Sequence, residues 1–396
     1  MTAWRFQLSA SVALAAATIG VLLIACAADE SGSIEPYDTA VVAPARDAGL
    51  GEAEAGPCTE DCEYFPLTCT DDVLCPNGPF DPANPSVGMD WRTRVNAIVG
   101  RSATDVWLAG AVGAIARYDG ASWTRSELGT QESQHALWLL GAGELAFGLV
   151  QKIYTRGLPV EDGDAGKSPS SDGWSLRAPQ LPPGFNGGQF VTAAWAPPGA
   201  GALWFAAGST LWRLLLTPTS ELEIRRGAPS SGCPVAPCRP IRSIHGASAS
   251  ILWAVGDVGA VVQITNADTD EPESEQLNAA TWSGLSGVWA ASDTDVWAVG
   301  GAGTILHYAG TPPRWDVVAD VPTNENLNAV WGTTPADVWA VGNAGVALHY
   351  DGRSWSRVGV AGLGPRRPDL TAVWCPQPGR VWIGGVGIVL ALGGKP

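Results

Sequence analysis

Residues 327–355 read L-N-A-V-W-G-T-T-P-A-D-V-W-A-V-G-N-A-G-V-A-L-H-Y-D-G-R-S-W. Three short apolar runs are separated by the turn-forming residues T-T-P-A and N-A-G, and a fourth run begins at Trp355 after Asp351-Gly352. Apolar runs of this length between turn signals are typical of buried β-strands. The stretch therefore predicts four antiparallel strands joined by tight turns.

The same pattern returns along the rest of the chain. L-S-G-V-W-A-A-S-D-T-D-V-W-A-V-G begins at Leu285, and V-N-A-I-V-G-R-S-A-T-D-V-W-L-A-G begins at Val95. Weaker copies begin at Val191, Ile241 and Leu370, and a degenerate copy runs from His135 to Tyr154. Aligned on the second tryptophan, the copies are 39 to 58 residues apart, with markers at Trp107, Ala146, Trp204, Trp253, Trp297, Trp339 and Trp382. Seven four-stranded units of this length predict an all-β fold, a seven-bladed β-propeller of four-stranded antiparallel blades.

The two ends of the repeat region predict how the ring closes. The last copy stops at Pro396, directly after its third strand, I-V-L-A-L, so its fourth strand is missing. Upstream of the first copy, residues 89–94 read M-D-W-R-T-R, and Trp91 resembles Trp355 at the start of a fourth strand. We expect this N-terminal strand to close the last blade, because an open ring would leave two unpaired edges. The propeller is predicted to span residues 84–396.

The composition and net charge of the chain exclude some classes of partner and ligand. The 396 residues include 49 Gly, 30 Pro and 19 Trp, and the net charge of −16 repels phosphate backbones, which excludes nucleic acid as a partner. Only 4 His are present, and no pattern for a cofactor or a metal is found.

The N-terminus has the features of an export signal. Arg5 precedes an apolar run, which ends at Leu23-Ile24-Ala25-Cys26. These four residues resemble the lipobox of bacterial lipoproteins, so residues 1–25 are predicted to be a signal peptide and Cys26 to be lipidated; the alternative is an ordinary secretory signal cleaved nearby. Ala27 after the cysteine favours the outer membrane over the inner one, by analogy with enteric bacteria. Residues 26–56 are predicted to form a flexible acidic tether that connects a lipid anchor to the folded part.

The remaining cysteines favour disulfides. Residues 57–83 form a cysteine-rich segment with Cys58, Cys62, Cys69 and Cys75, whose spacings suit two disulfides better than a zinc site and allow three connectivities. Cys233 and Cys238 bracket a rigid P-V-A-P loop that suits a local disulfide. Cys375 is expected to be the unpaired cysteine.

A family resemblance rests on the turn before the fourth strand. The sequence Y-D-G-x-S-W, at residues 118–123 and 350–355, resembles the Asp-box of bacterial neuraminidase-type repeats. The region from Trp91 to Pro396 is similar to propellers of that superfamily, including the photosystem II assembly-factor-like proteins. The serine usual two residues before the aspartate is replaced by Arg117 and His349. The resemblance implies the propeller fold and leaves the activity open.

Some residues recur in the repeat and could carry chemistry. Asp105, Asp295 and Asp337 precede Val-Trp, and we expect each carboxylate to accept backbone N–H groups in the turn between the first two strands. Asp119 and Asp351 are expected to do the same before the fourth strand. His307 and His349 occupy equivalent third-strand positions on separate blades, which disfavours a metal site. The repeated tryptophans are expected to pack between blades.

These observations favour a lipid-anchored binding or assembly scaffold of the cell envelope that is not an enzyme. Its protein or anionic partner is expected on the rim formed by the blade-to-blade connections, where Arg225, Arg226, Arg239 and Arg242 stand out on an acidic chain. The alternative is a glycan-active enzyme of sialidase or polysaccharide-lyase type, which would need arginine, tyrosine and carboxylate side chains converging at the ring centre.

Overall fold

The computed structural model describes residues 62–80, 88–159, 170–185, 188–197, 199–227, 239–311 and 313–394. These residues form seven four-stranded antiparallel sheets, numbered here as blades 1 to 7. The innermost strands of successive blades contact one another in order, and the last contacts the first, so the blades form a closed ring. The predicted seven-bladed propeller is confirmed.

Strand β1 (Leu74–Pro76) precedes the first complete blade. Blades 1 to 3 contain β2 (Val95–Ser102), β3 (Asp105–Gly110), β4 (Ile115–Tyr118), β5 (Trp123–Arg125), β6 (Ala136–Leu140), β7 (Gly143–Leu149), β8 (Lys152–Arg156), β9 (Ser175–Arg177), β10 (Val191–Trp195), β11 (Ala202–Ala207), β12 (Thr210–Leu216) and β13 (Leu222–Arg226). Blades 4 and 5 contain β14 (Ile241–His245), β15 (Leu252–Gly256), β16 (Ala260–Thr265), β17 (Glu273–Asn278), β18 (Leu285–Ser292), β19 (Asp295–Gly300), β20 (Ile305–Gly310) and β21 (Pro313–Val317). Blades 6 and 7 add β22 (Leu327–Thr334), β23 (Asp337–Gly342), β24 (Ala347–Tyr350), β25 (Trp355–Arg357), β26 (Leu370–Gln377), β27 (Arg380–Gly385) and β28 (Ile388–Leu392).

Helical structure in the described residues is limited to single 3-10 turns. One of them, Cys62–Tyr64, precedes β1, and the others join second to third strands: Ala111–Gly113, Asp257–Gly259, Gly301–Gly303 and Asn343–Gly345. Within the described part of the chain, no helix is long and apolar enough to cross a membrane.

An N-terminal strand closes the ring, as predicted, but it is not the predicted segment. Strand β1 pairs with β28 as the fourth strand of blade 7, with Leu74 opposite Leu392. Leu74 is fully buried, and its N–H also donates to the Gly359 carbonyl at 2.8 Å. The expectation for residues 89–94 was wrong: there, Arg94 makes only an isolated bridge to Val386, and Trp91 is half-exposed. The closing strand therefore lies within residues 57–83, the segment predicted from the sequence as a cysteine-rich segment separate from the propeller.

A disulfide holds the closing strand. Cys69 and Cys75 are bonded to each other, so one predicted bridge ends on β1 itself. Cys62 is also disulfide-bonded, and Cys375 is a buried free thiol. Predictions for the signal peptide, the tether, Cys26, Cys58, Cys233 and Cys238 lie outside the described residues.

Tryptophans connect the blades, as expected. The Trp297 ring of blade 5 packs against Tyr350 and Trp355 of blade 6, with ring centroids 4.9 and 5.5 Å away. Trp382 of blade 7 packs in the same way on Tyr118 and Trp123 of blade 1. The Tyr and Trp rings of each Y-D-G-x-S-W turn therefore pack against the second-strand tryptophan of the preceding blade.

Polar side chains at a β-bulge add a second link between blades. The second residue of the innermost strand is bulged in blade 1, blade 6 and blade 7. Asn96 donates to the Gln134 carbonyl of blade 2 at 2.9 Å, and Asn328 donates to the Leu370 carbonyl of blade 7 at 2.8 Å. Thr371 donates likewise to a carbonyl of blade 1. The bulge turns these side chains toward the next blade.

Candidate functional site

Strand direction divides the ring into two faces. The connections between blades and the turns between second and third strands share one face, which we call the connection face. The turns between first and second strands and between third and fourth strands lie on the opposite face.

Exposed apolar side chains concentrate on the connection face. Of the eight large hydrophobic residues exposed in the described chain, six belong to its turns and connections: Trp91, Val112, Leu181, Phe190, Val258 and Trp282. Exposed apolar groups gathered on one side of a protein mark an interaction surface more often than singly scattered ones do. The connection face is therefore the candidate docking surface.

The predicted arginines separate into different environments. Arg225 binds Glu223 through two hydrogen bonds of 2.8 Å, and its Nη1 reaches Asp270 in a loop of the opposite face at 3.3 Å. Arg226 is exposed at the end of β13 and makes no ion pair with a described residue. The structure thus does not bring Arg225 to the connection face.

Arg239 and Arg242 both lie at the connection that enters blade 4, on the connection face. Arg242 donates from Nε and Nη2 to the two carboxylate oxygens of Asp257, both at 2.9 Å. This pair holds the pKa of Asp257 below its usual range, and the charge of Arg239 lowers it further. Arg239 itself is exposed and has no ion-pair partner among the described residues. The Asp257 carboxylate is therefore bound by Arg242 and lies within the electrostatic reach of Arg239.

The repeated aspartates before Val-Trp have a different role from the one predicted. Asp337 accepts hydrogen bonds from Trp339 Nε1 at 3.2 Å and from the Thr333 hydroxyl, and it binds His349 Nε2 at 2.7 Å. The expectation of backbone donors was wrong, because antiparallel register places the third-strand residue opposite the tryptophan and its polar end beside the carboxylate. His349 is the main cause of the lowered pKa of Asp337.

The same arrangement recurs in two other blades. Asp295 binds His307 at 2.9 Å, and Asp105 accepts from Arg117 at 2.8 Å. Burial opposes ionisation of Asp105, but Arg117 and Arg101 keep its pKa below the usual value. These aspartates fix the second and third strands. Asp119 and Asp351, in contrast, accept backbone N–H groups in their turns at 2.9 Å, as predicted.

Aromatic rings occupy the ring centre, which sequence reasoning missed. His245 lies on the innermost strand of blade 4, opposite the second-strand tryptophan Trp253. Its ring packs against those of Trp195 and Trp331, with ring centroids 4.9 and 4.8 Å away. The Ala290 N–H donates to His245 Nδ1 at 3.1 Å, and burial lowers the pKa of this histidine to about 3. Trp289 and Trp374 hold the same register position in other blades. Aligning V-W-G at residues 330–332 with I-H-G at residues 244–246 could have revealed these aromatic side chains.

One cleft on the described surface contains several arginines. It lies between blades 1 and 2, has a volume of about 360 Å³, and is lined in part by Arg117, Arg125 and Arg156. Each of the three already pairs with a carboxylate: Asp105, Glu127 and Glu144 respectively. The described lining includes no tyrosine, so this cleft does not assemble the groups that the glycan-active alternative requires. Among the described residues, no three His, Cys, Asp or Glu side chains gather as metal ligands.

Solved structures share this fold. YCF48 bound to D1 peptide is similar with a TM-score of 0.59 and 15% identity, over 85% of this chain and 99% of that one. A catalytically inactive virginiamycin B lyase from Staphylococcus aureus with quinupristin is similar with a TM-score of 0.59 and 13% identity, over 76% and 95%. The WD40 β-propeller domain of Doa1 has a TM-score of 0.55 and 11% identity, over 76% and 92%. At these identities the likeness concerns the fold alone.

No protein-family model matches the chain, and no curated protein matches it. The resemblance to Asp-box propellers is therefore confirmed as far as the propeller fold, and membership in that superfamily stays a prediction.

Proposed function

We propose that this protein is a non-enzymatic binding propeller, held at the cell envelope by a lipid on Cys26, and that its protein partner docks on the connection face. The observation that carries the docking proposal is the concentration of exposed apolar side chains on that face. The fold shared with a peptide-bound YCF48 and with the Doa1 domain is consistent with this role.

Site-specific crosslinking tests the docking face. A photo-crosslinking residue would replace Val112 or Phe190 on the connection face, and Arg353 or Thr294 on the opposite face. The side chains of all four residues are exposed. In cells that make the protein, a discrete crosslinked species is expected from the first pair and not from the second. Crosslinks that form only through the opposite face would refute the proposal.

Lipidation has its own test. Cells fed an alkyne fatty acid should label the full chain, and the Cys26→Ser variant should remain unlabelled and leave the membrane fraction. Equal labelling of both proteins would remove the anchor from the proposal without affecting the docking face. Hydrolysis of any member of a panel of fluorogenic glycosides by the purified protein would favour the enzymatic alternative instead.

A further inference from the structure

The turn Asp257–Gly259 of blade 4 joins two blade-to-blade connections. The Asp257 N–H donates to the Pro240 carbonyl at 3.0 Å, in the connection that enters blade 4. The Gly259 N–H donates to the Ser283 carbonyl at 2.9 Å, in the connection that leaves it. Arg239, Val258 and Trp282 are therefore carried by three backbone segments that are hydrogen-bonded to one another. We call this group, together with Arg242 and Asp257, the blade 4 patch.

Trp282 departs from the repeat at this point. In three connections a threonine hydroxyl accepts the N–H of the residue two positions later, each at 3.1 Å: Thr130 from Glu132, Thr281 from Ser283 and Thr323 from Glu325. The residue between is Gln131, Trp282 or Asn324 respectively. Two of these side chains are polar, whereas Trp282 places an indole that is 86% exposed in the same turn. The turn forms without a tryptophan, so the backbone does not require this indole.

The charged pair in the patch is a second departure. In blade 6, Asn328 donates to Asn343 Oδ1 at 2.9 Å, from the bulge to the turn between second and third strands. Arg242 and Asp257 occupy those two positions in blade 4, where the bulge is also present. A neutral pair therefore suffices for the fold. With Arg239 next to Asp257, the charged version leaves a local excess of positive charge on a chain of net charge −16.

Resting on the proposed function, we infer that the blade 4 patch is the anchor site for an extended acidic peptide segment that carries an aromatic or aliphatic side chain. The exposed indole of Trp282 and the exposed side chain of Val258, carried by hydrogen-bonded segments, offer apolar contact area. Arg239 offers a guanidinium that makes no ion pair with a described residue and to which a carboxylate of the ligand can bind. Tryptophan and arginine are the residue types that most often dominate binding energy at interfaces. The hydrogen-bonded backbone holds these groups in place before binding, which reduces the entropy cost of association.

A random dodecapeptide library displayed on phage tests the inference against the immobilised full-length protein. Selected peptides should be enriched in Asp or Glu together with Trp, Phe, Tyr or Leu. Two variants should each lower the affinity for synthetic versions of the selected peptides by at least about tenfold: Arg239→Glu and Trp282→Asn, the latter introducing the residue that stands in the equivalent turn. Arg239→Lys should retain most of the affinity, and the matched control Asn324→Ser should change it less than twofold. Because Trp282 is 86% exposed, the melting temperature of Trp282→Asn should equal that of the parent.

The outcomes separate this inference from the proposed function. Peptides that bind the protein but are insensitive to Trp282→Asn and Arg239→Glu would overturn the inference and leave the binding role intact. Selection of no peptide, together with no crosslink from the connection face, would overturn both. Binding to vesicles of 3:1 phosphatidylcholine to phosphatidylglycerol that depends on Trp282 would also overturn the inference, because the indole would then serve a membrane.

Discussion

The closing strand offers the sharpest test of the fold. Leu74 is fully buried in the core between blades 6 and 7, and its backbone bonds to Gly359 and Ala361 on one side while it pairs with Leu392 on the other. Leu74→Ala removes three carbon atoms from this core without altering the backbone groups. Substitutions of this kind cost about 3 kcal/mol, in a range of roughly 2 to 5, through lost burial and the cavity left behind. For a domain of this size that corresponds to a fall of roughly 5 °C in melting temperature.

Trp91 provides the matched control. It lies in the segment that the sequence predicted as the closing strand, but its ring is half-exposed and its described ring contact is to the Arg366 guanidinium at 5.7 Å. Trp91→Ala should therefore cost less than about 1 kcal/mol. Both variants would be compared by urea unfolding followed by circular dichroism. A large loss of stability for Trp91→Ala with little change for Leu74→Ala would refute the assignment of the closing strand.

Three further predictions concern stability. Replacing both Cys69 and Cys75 by serine should lower the unfolding free energy by about 2 kcal/mol in urea titrations, because the disulfide no longer restricts the short loop that it closes in the unfolded chain. Asp337→Asn should cost about 2 kcal/mol at pH 7. Because His349 lowers the folded pKa of Asp337 below the usual value of 3.8, the stability that this carboxylate contributes should be fully present above that value and should be lost as the pH falls through the folded pKa. A stability difference between Asp337→Asn and the parent that does not shrink when the pH is lowered below about 4 would contradict this expectation. His245 is neutral in the fold and takes up a proton when unfolded below pH 6.5, so this residue alone should lower the unfolding free energy by about 1.4 kcal/mol per pH unit from pH 6 to 4, and the slope of His245→Asn should be shallower than that of the parent by this amount.

The blades could be predicted from sequence because each carries its own signal. The D-V-W-A-V-G strands are buried on both faces at every position after the first, as their uninterrupted apolar character indicates. The closing strand carries no comparable signal: Leu74-Cys75-Pro76 is three residues long and lacks the repeat's tryptophan. Pairing at a sheet edge requires only backbone hydrogen-bonding groups, so Trp91 was a misleading marker.

The candidate site was predictable only in part for a related reason. The arginines near Cys233 were visible as an unusual cluster, but their partners depend on register and on loops far apart in sequence. Arg225 reaches Asp270, 45 residues away, whereas Arg242 meets Asp257 across a bulge. Comparing the copies position by position would have exposed Arg242 and Trp282 as departures, because Asn328 and Asn324 stand in their places.

The pairing of β1 with β28 has a consequence for the order in which the propeller folds. Leu74 and its partner Leu392 are 318 positions apart in the sequence, so blade 7 cannot complete its sheet until these two distant segments meet. The first six blades can each form from neighbouring segments, whereas the seventh depends on this distant pairing, and contacts of such long sequence separation are slow to form. Cys69 and Cys75 are only six positions apart, so their disulfide can form before β1 and β28 pair and can restrict the closing strand until then.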